Sequence, residues 1–140
     1  MGIHLPHISI KKKLKMQKKS KSKKFTFGII GCSRVARKYF LPALTSSNKA
    51  ELKIIGSRTT KRAKEFGYEF DCKNIGSYND VLNSNVDSVY ISLPVGLHEK
   101  WVIKAAKAGK HIICEKSSTI SYQSAVKMVS ECKKGWYYNG

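Results

Sequence analysis

Phe25–Ala36 reads FTFGIIGCSRVA: an apolar run with strand character, a glycine turn, and the opening of a helix. Open α/β sheets hold the pyrophosphate of a dinucleotide at such a strand–turn–helix junction. Set against the G-x-G-x-x-G/A pattern, the chain supplies Gly31, Ser33 and Ala36. Gly31 makes the tight turn, and Ala36 lets helix and strand pack closely. Serine at the second position narrows the gap, yet its hydroxyl can donate to a phosphate oxygen. Cys32, Ser33, Arg34 and Val35 then form the turn and helix start, whose backbone N–H groups and positive dipole end suit an anion. The same residues also suit a plain βα turn with no ligand, so a second motif carries weight. It is HIICEKS, His111–Ser117.

Outward from this junction, short apolar runs alternate with helical patterns. Strands are expected at Phe25–Ile30, Glu51–Gly56, Ile75, Asp87–Leu93 and His111–Cys114. Helices are expected over Arg34–Leu44, Thr60–Phe66, Tyr78–Leu82, Leu97–Ala108, and from the N-cap Ser121 to about Lys134. Pro42 should bend or end the first helix, and Gly67 and Gly109 are placed to stop two others. The β-α-β-α rhythm predicts a doubly wound parallel sheet of Rossmann type, with helices on both faces. FTFGII and HIIC read as strands buried on both sides.

The end of the second strand carries Ser57, Arg58 and Thr59, followed by Lys61 and Arg62, with no carboxylate. An Asp or Glu there would take the ribose 2′-hydroxyl of NAD. A hydroxyl and a guanidinium suit a 2′-phosphate instead, which favours NADP, with NAD as the second cofactor. SLPVGLH, Ser92–His98, follows another strand. Leu93, Pro94 and His98 therefore belong at the carboxyl edge, where ligands bind. Read alone, His98 is simply a helix-start residue. Glu115 and Lys116 end the next strand at the same edge. They suit a surface ion pair, or a partly buried lysine that exchanges a proton beside a cofactor.

Composition bounds the rest. The chain has 140 residues, 41% of them hydrophobic, and a net charge of +18. Nine of its 27 Lys and Arg lie in the acid-free segment 1–24. Without an aromatic residue to stack on bases, this leader reads as a solvated, disordered tail, and nucleic-acid binding is the disfavoured alternative. No apolar run follows the charges as in a signal peptide, Pro6 spoils a myristoylation pattern, and no stretch spans a membrane. Met16 is an alternative start. Cys32, Cys72, Cys114 and Cys132 form no metal-binding spacing, so reduced thiols in a cytoplasmic protein and no metal site are expected.

Taken together, GIIGCSRVA (Gly28–Ala36), SRT (Ser57–Thr59), SLPVGLH (Ser92–His98) and AGKHIICEK (Ala108–Lys116) resemble the N-terminal domain of the glucose–fructose oxidoreductase/inositol dehydrogenase (Gfo/Idh/MocA) family. The resemblance runs from Phe25 to about Lys134. It implies hydride transfer between NAD(P) and sugars, cyclitols or related polyols. By that resemblance Lys116 matches the catalytic lysine of an E-K-P motif, Glu115 helps to place the cofactor, and Pro94 and His98 border the nicotinamide side. Ser117 replaces the motif's proline, and Val95 and Gly96 replace residues that are often polar. The expected organisation is a leader over 1–24, the dinucleotide-binding domain over 25–134 and an irregular tail over 135–140. The family's C-terminal α/β domain, which supplies substrate contacts, is expected to be missing, through a truncated gene, a frameshifted reading or a natural fragment. That leaves two functional readings. One is the cofactor half of an oxidoreductase, and the other is a stand-alone module that senses NADP(H). An uncovered sheet edge leaves self-association open.

Overall fold

The computed structural model describes residues 23–138. Most of the lysine leader, with its expected disorder, lies outside the described residues. Five strands form one sheet: β1 (Phe25–Ile30), β2 (Ala50–Gly56), β3 (Ile75–Gly76), β4 (Ser88–Ile91) and β5 (His111–Cys114). Their order is β3-β2-β1-β4-β5, and every pairing is parallel. The helices are α1 (a π-helical segment, Ala36–Phe40, running into Leu41–Ser46), α2 (Thr60–Glu69), α3 (Tyr78–Asn83), α4 (His98–Lys107) and α5 (Tyr122–Tyr138). This is the doubly wound sheet that the β-α-β-α rhythm predicts.

Alternation along the strands sends side chains into two cores. Ile29, Ile55 and Tyr90 meet Leu41, Leu44 and Phe66 on one face. Ile30, Val89 and Ile91 meet Val81, Trp101, Val102 and Met128 on the other. Each fully buried Ile or Leu contributes about 1.5–3 kcal/mol through removal from water. Local signals fix the helix starts. The Thr59 hydroxyl accepts the Arg62 N–H, and Ser77 forms a reciprocal capping box with Asp80. The chain winds from β1 out to β3 and returns across β1 to β4. The order therefore reverses between β1 and β4, and the crevice above that point is where such sheets take ligands.

The structure departs from the expected elements in five places. Gly67 does not stop its helix: α2 runs through it to Glu69, and the glycine serves a close approach, since a Cβ there would lie 2.7 Å from Cys72 O. The first helix does not end at Pro42 but runs to Ser46. The turn before the proline is widened, with Leu41 N–H bonded to Ala36 O. A wide π turn absorbs the ring and the missing donor of the proline. β4 is shorter than expected, Ser88–Ile91, flanked by Asp87, whose carboxylate accepts the Thr26 N–H and hydroxyl, both at 2.7 Å, and by Ser92, whose N–H bonds Ile30 O at 2.9 Å. HIIC is not buried on both sides, since β5 is an edge strand and Ile113 is 44% exposed. The last helix continues past Lys134 to Tyr138, so the segment expected to be an irregular tail is helical up to there.

Candidate dinucleotide site

Gly31 sits directly after β1 with φ of +101°, a conformation that side chains rarely tolerate. A Cβ there would lie 2.4 Å from Ser92 O and 2.6 Å from a Leu93 methyl carbon. The turn is thus pressed against the end of β4, and only glycine fits. Its N–H is held by Gly56 O at 3.0 Å. The first helical bond is Arg37 N–H to Ser33 O at 3.1 Å, so the N–H groups from Cys32 to Val35 precede the helical ladder and have no intrahelical acceptor. That cradle fits a pyrophosphate.

The side chains of the turn are used differently. Ser33 Oγ accepts the Ala36 N–H at 3.0 Å, which caps the helix, and is also hydrogen-bonded to the Ser92 hydroxyl. Its hydroxyl, read as a phosphate donor, therefore has an internal partner already. Cys32 is 7% exposed, and burial pushes its thiol above the ordinary range. It offers backbone, not sulfur. Its carbonyl accepts Arg62 Nε at 2.9 Å, so Arg62 braces the turn from α2. Nothing in the local sequence signals that brace, because the two residues meet only through the fold.

At the end of β2, Ser57 is buried, with its N–H on Gly76 O at 3.0 Å. Arg58 is exposed, and among the described residues its guanidinium makes no ion pair or hydrogen bond. No Asp or Glu stands between Gly56 and Lys64.

The β4–β5 side assembles the remaining candidates. Leu93 and Pro94 follow β4 and lead through a 3₁₀ turn, Val95–Leu97, into α4. His98 opens α4 and is fully buried. Its Nε2 lies 2.7 Å from Leu93 O, and its Nδ1 lies 2.9 Å from Ser117 O and 3.3 Å from Ser118 O. Each contact is a hydrogen bond when that nitrogen carries a proton. His98 thus ties the loop after β4 to the loop after β5, from behind the crevice wall.

Glu115 and Lys116 do not form an ion pair with each other. Glu115 Oε1 accepts the Tyr90 hydroxyl, and Oε2 faces the Lys116 backbone N–H at 3.3 Å. Burial, then the neighbouring Glu115 carboxylate, raise the Tyr90 phenol well above its ordinary range. Burial, with the same carboxylate, pushes the Cys114 thiol up to about 11. Lys116 is exposed, so the partial burial expected of it is not provided by these residues. Sequence reasoning missed Tyr90 and Ser92, which read only as strand residues.

Residues 25–135 match the model of an oxidoreductase family, GFO_IDH_MocA, described as an NAD-binding Rossmann fold. A dTDP-3,4-didehydro-2,6-dideoxy-alpha-D-glucose 3-reductase of Saccharopolyspora spinosa is 31% identical over 108 residues, covering 76% of this chain and 32% of that protein. A D-xylose 1-dehydrogenase (NADP(+)) of Haloferax volcanii is 37% identical, covering 76% of this chain and 33% of that protein. The 3-ketoreductase KijD10 of Actinomadura kijaniata, solved with TDP-benzene and NADP, superposes with a TM-score of 0.77 at 34% identity, over 80% of this chain and 36% of KijD10. The WlbA dehydrogenase of Bordetella pertussis, solved with NADH and UDP-GlcNAcA, gives 0.76 at 26% identity, over 81% of this chain and 35% of WlbA. The chain spans about a third of the length of these relatives. With the parallel sheet, the glycine turn at its switch point and this match in hand, the chain belongs to the Gfo/Idh/MocA family of oxidoreductases, of which residues 25–135 form the NAD-binding Rossmann domain.

Proposed function

We propose that this chain binds NADP(H) and is the cofactor half of an oxidoreductase acting on a sugar, a sugar nucleotide, a cyclitol or a related polyol. The carrying observation is the end of β2. There Arg58 projects an uncommitted guanidinium beside Ser57, with no carboxylate to accept a ribose hydroxyl. The N–H groups from Cys32 to Val35 would hold the pyrophosphate, and Ser57 with Arg58 the 2′-phosphate. In the crevice between β1 and β4, Leu93, Pro94 and Glu115 would border the nicotinamide half. When bound, the dinucleotide supplies or accepts a hydride. Lys116, two residues beyond β5, would exchange the proton of the reacting hydroxyl. His98 contributes by holding the two loops. The reductase and dehydrogenase relatives act on sugar substrates, which supports the substrate class. Free thiols at all four cysteines fit a reducing compartment such as the cytoplasm.

Calorimetric titration with NADPH and NADH tests this reading. NADPH is expected to bind more tightly, and Arg58→Ala to weaken it by about 1–3 kcal/mol through loss of charged hydrogen bonds. Tighter binding of NADH would sink it.

A further inference from the structure

All five strands are parallel, so all begin at one edge of the sheet, and the dinucleotide crevice lies at the opposite edge. Lysines lead into four of the five. Lys23 and Lys24 precede β1, Lys49 precedes β2, Lys73 precedes β3 and Lys110 precedes β5. Helices return against the strands, so α4 brings Lys104 and Lys107 of its last turn to the same edge. Lys49 and Lys73 are exposed, and Lys73 shares with Lys53, Asn74 and Asn85 the lining of an open groove of about 500 Å³. Lys110 is half-buried and ties the loop before β4, donating to Ser84 O at 2.7 Å and Val86 O at 2.9 Å.

The acids of this edge do not balance the lysines. Asp87, which precedes β4, is engaged by the Thr26 N–H and hydroxyl. Glu51 is paired with Lys53 at 2.7 Å. Asp71 stands two residues before Lys73. The charge also extends along the chain. The segment 1–24, with nine lysines and no acid, joins the fold at this edge through Lys24. The two positive regions are therefore continuous, and both lie on the side away from the crevice where the chain enters β1.

Side-chain chemistry selects the partner. Such a surface calls for a polyanion, and residues 1–24 contain no Phe, Tyr or Trp to stack on bases. They carry Ile3, Leu5, Ile8 and Ile10 ahead of the lysine run, and Leu14 and Met16 within it. Phe25, 42% exposed, continues that series at the start of β1. Apolar side chains interleaved with lysines match acidic headgroups over hydrocarbon: the lysines are drawn to the surface charge, and the apolar groups enter the acyl boundary. We propose that residues 1–24 and the strand-start edge form one docking surface for a membrane of anionic phospholipid, with the dinucleotide crevice turned toward water. The inference does not depend on the dinucleotide reading.

Cosedimentation of the full chain with phospholipid vesicles tests it. Vesicles with about 30% phosphatidylserine should be bound at least about tenfold more tightly than vesicles of phosphatidylcholine alone. Raising salt from about 0.1 M to about 0.5 M should remove most of that preference. Lys11→Gln, Lys12→Gln, Lys13→Gln and Lys15→Gln together should weaken binding at least about tenfold, since each lysine near the surface adds to the attraction. Lys49→Glu with Lys73→Glu tests the edge and should weaken it about fivefold. Lys38→Glu with Lys100→Glu makes the same charge change at the starts of α1 and α4, beside the crevice, and should change it less than about twofold, because that edge lies beyond the screening length. Equal binding to the two kinds of vesicle would overturn the proposal. Equal losses from the two glutamate pairs would overturn the docking edge and leave only net charge. Tighter binding, per phosphate, to a DNA duplex of about 20 base pairs than to the anionic vesicles would overturn it in favour of nucleic acid.

Discussion

At the β2 end of the crevice, the elements that would take the adenosine half are braced from within the chain. Gly31 is locked between β2 and β4, Arg62 holds the Cys32 carbonyl, and Ser57 is buried. At the β5 end, Ile113 is 44% exposed, Ile120 71% and Tyr122 80%. The reason lies in the layering. Ile112 and Cys114 point into the core closed by α4, while Ile113 points to the face of α1 and α2, neither of which reaches as far as β5. Both ends use the same parallel sheet and the same run of apolar strands. They differ in what covers the strand end, and so in what each can do unaided. The β2 end is built as the proposed binding half requires, and the β5 end presents Lys116 on an open apolar edge.

The largest effect expected from this contrast concerns turnover. Holding a substrate against a cofactor is worth effective molarities on the order of 10⁵–10⁸ M. The exposed Lys116 has no wall around it among the described residues. Purified chain should therefore bind NADPH yet show no robust NADP reduction with a panel of aldoses and inositols. Brisk turnover would show that the β5 end needs no cover, and the contrast would fall.

Next in size is Gly31→Ala, aimed at the braced end. The added Cβ meets Ser92 O at 2.4 Å in a positive-φ conformation, so the turn must open or β4 must shift. A stability loss of about 2–4 kcal/mol is expected, together with loss of NADPH binding. Urea unfolding and calorimetry check both. A variant with parental stability and affinity would mean that the turn is neither tight nor the binding site.

How much of this was legible beforehand follows the same divide. The strand–turn–helix at Phe25–Ala36 was readable because a glycine turn, a strand and a helix start are local features. The missing carboxylate at Ser57–Thr59 was readable for the same reason. HIIC misled because an apolar strand looks alike at the centre and the edge of a sheet, and only strand order tells them apart. Tyr90 could not be singled out. Its hydroxyl matters through Glu115, 25 residues away, and no periodicity encodes that meeting. Pro42 was read as bending or ending its helix because the widened turn before it, closed by Leu41 N–H to Ala36 O, has no signal in the local sequence.

The smallest effect probes what the open end does in solution. Tyr122, Val126 and Val129 recur at helical spacing on the outer face of α5, at 80%, 50% and 54% exposure. With Ile113 and Ile120 they make an apolar surface of the kind that marks an interaction site. A second copy of the chain is the partner at hand in a purified sample, so light scattering should report a mass above 15.8 kDa that rises with concentration. Val126→Glu with Val129→Glu should return the mass toward the monomer. Because both side chains are exposed, each substitution should change stability by no more than about 0.5 kcal/mol. NADPH affinity should hold, since α5 contributes no residue to the β1–β2 side. If the parent chain is a monomer at every concentration, its exposed apolar edge does not drive association. If the paired substitutions abolish NADPH binding while the fold persists, the two ends are coupled, and the division between a braced half and an open half fails.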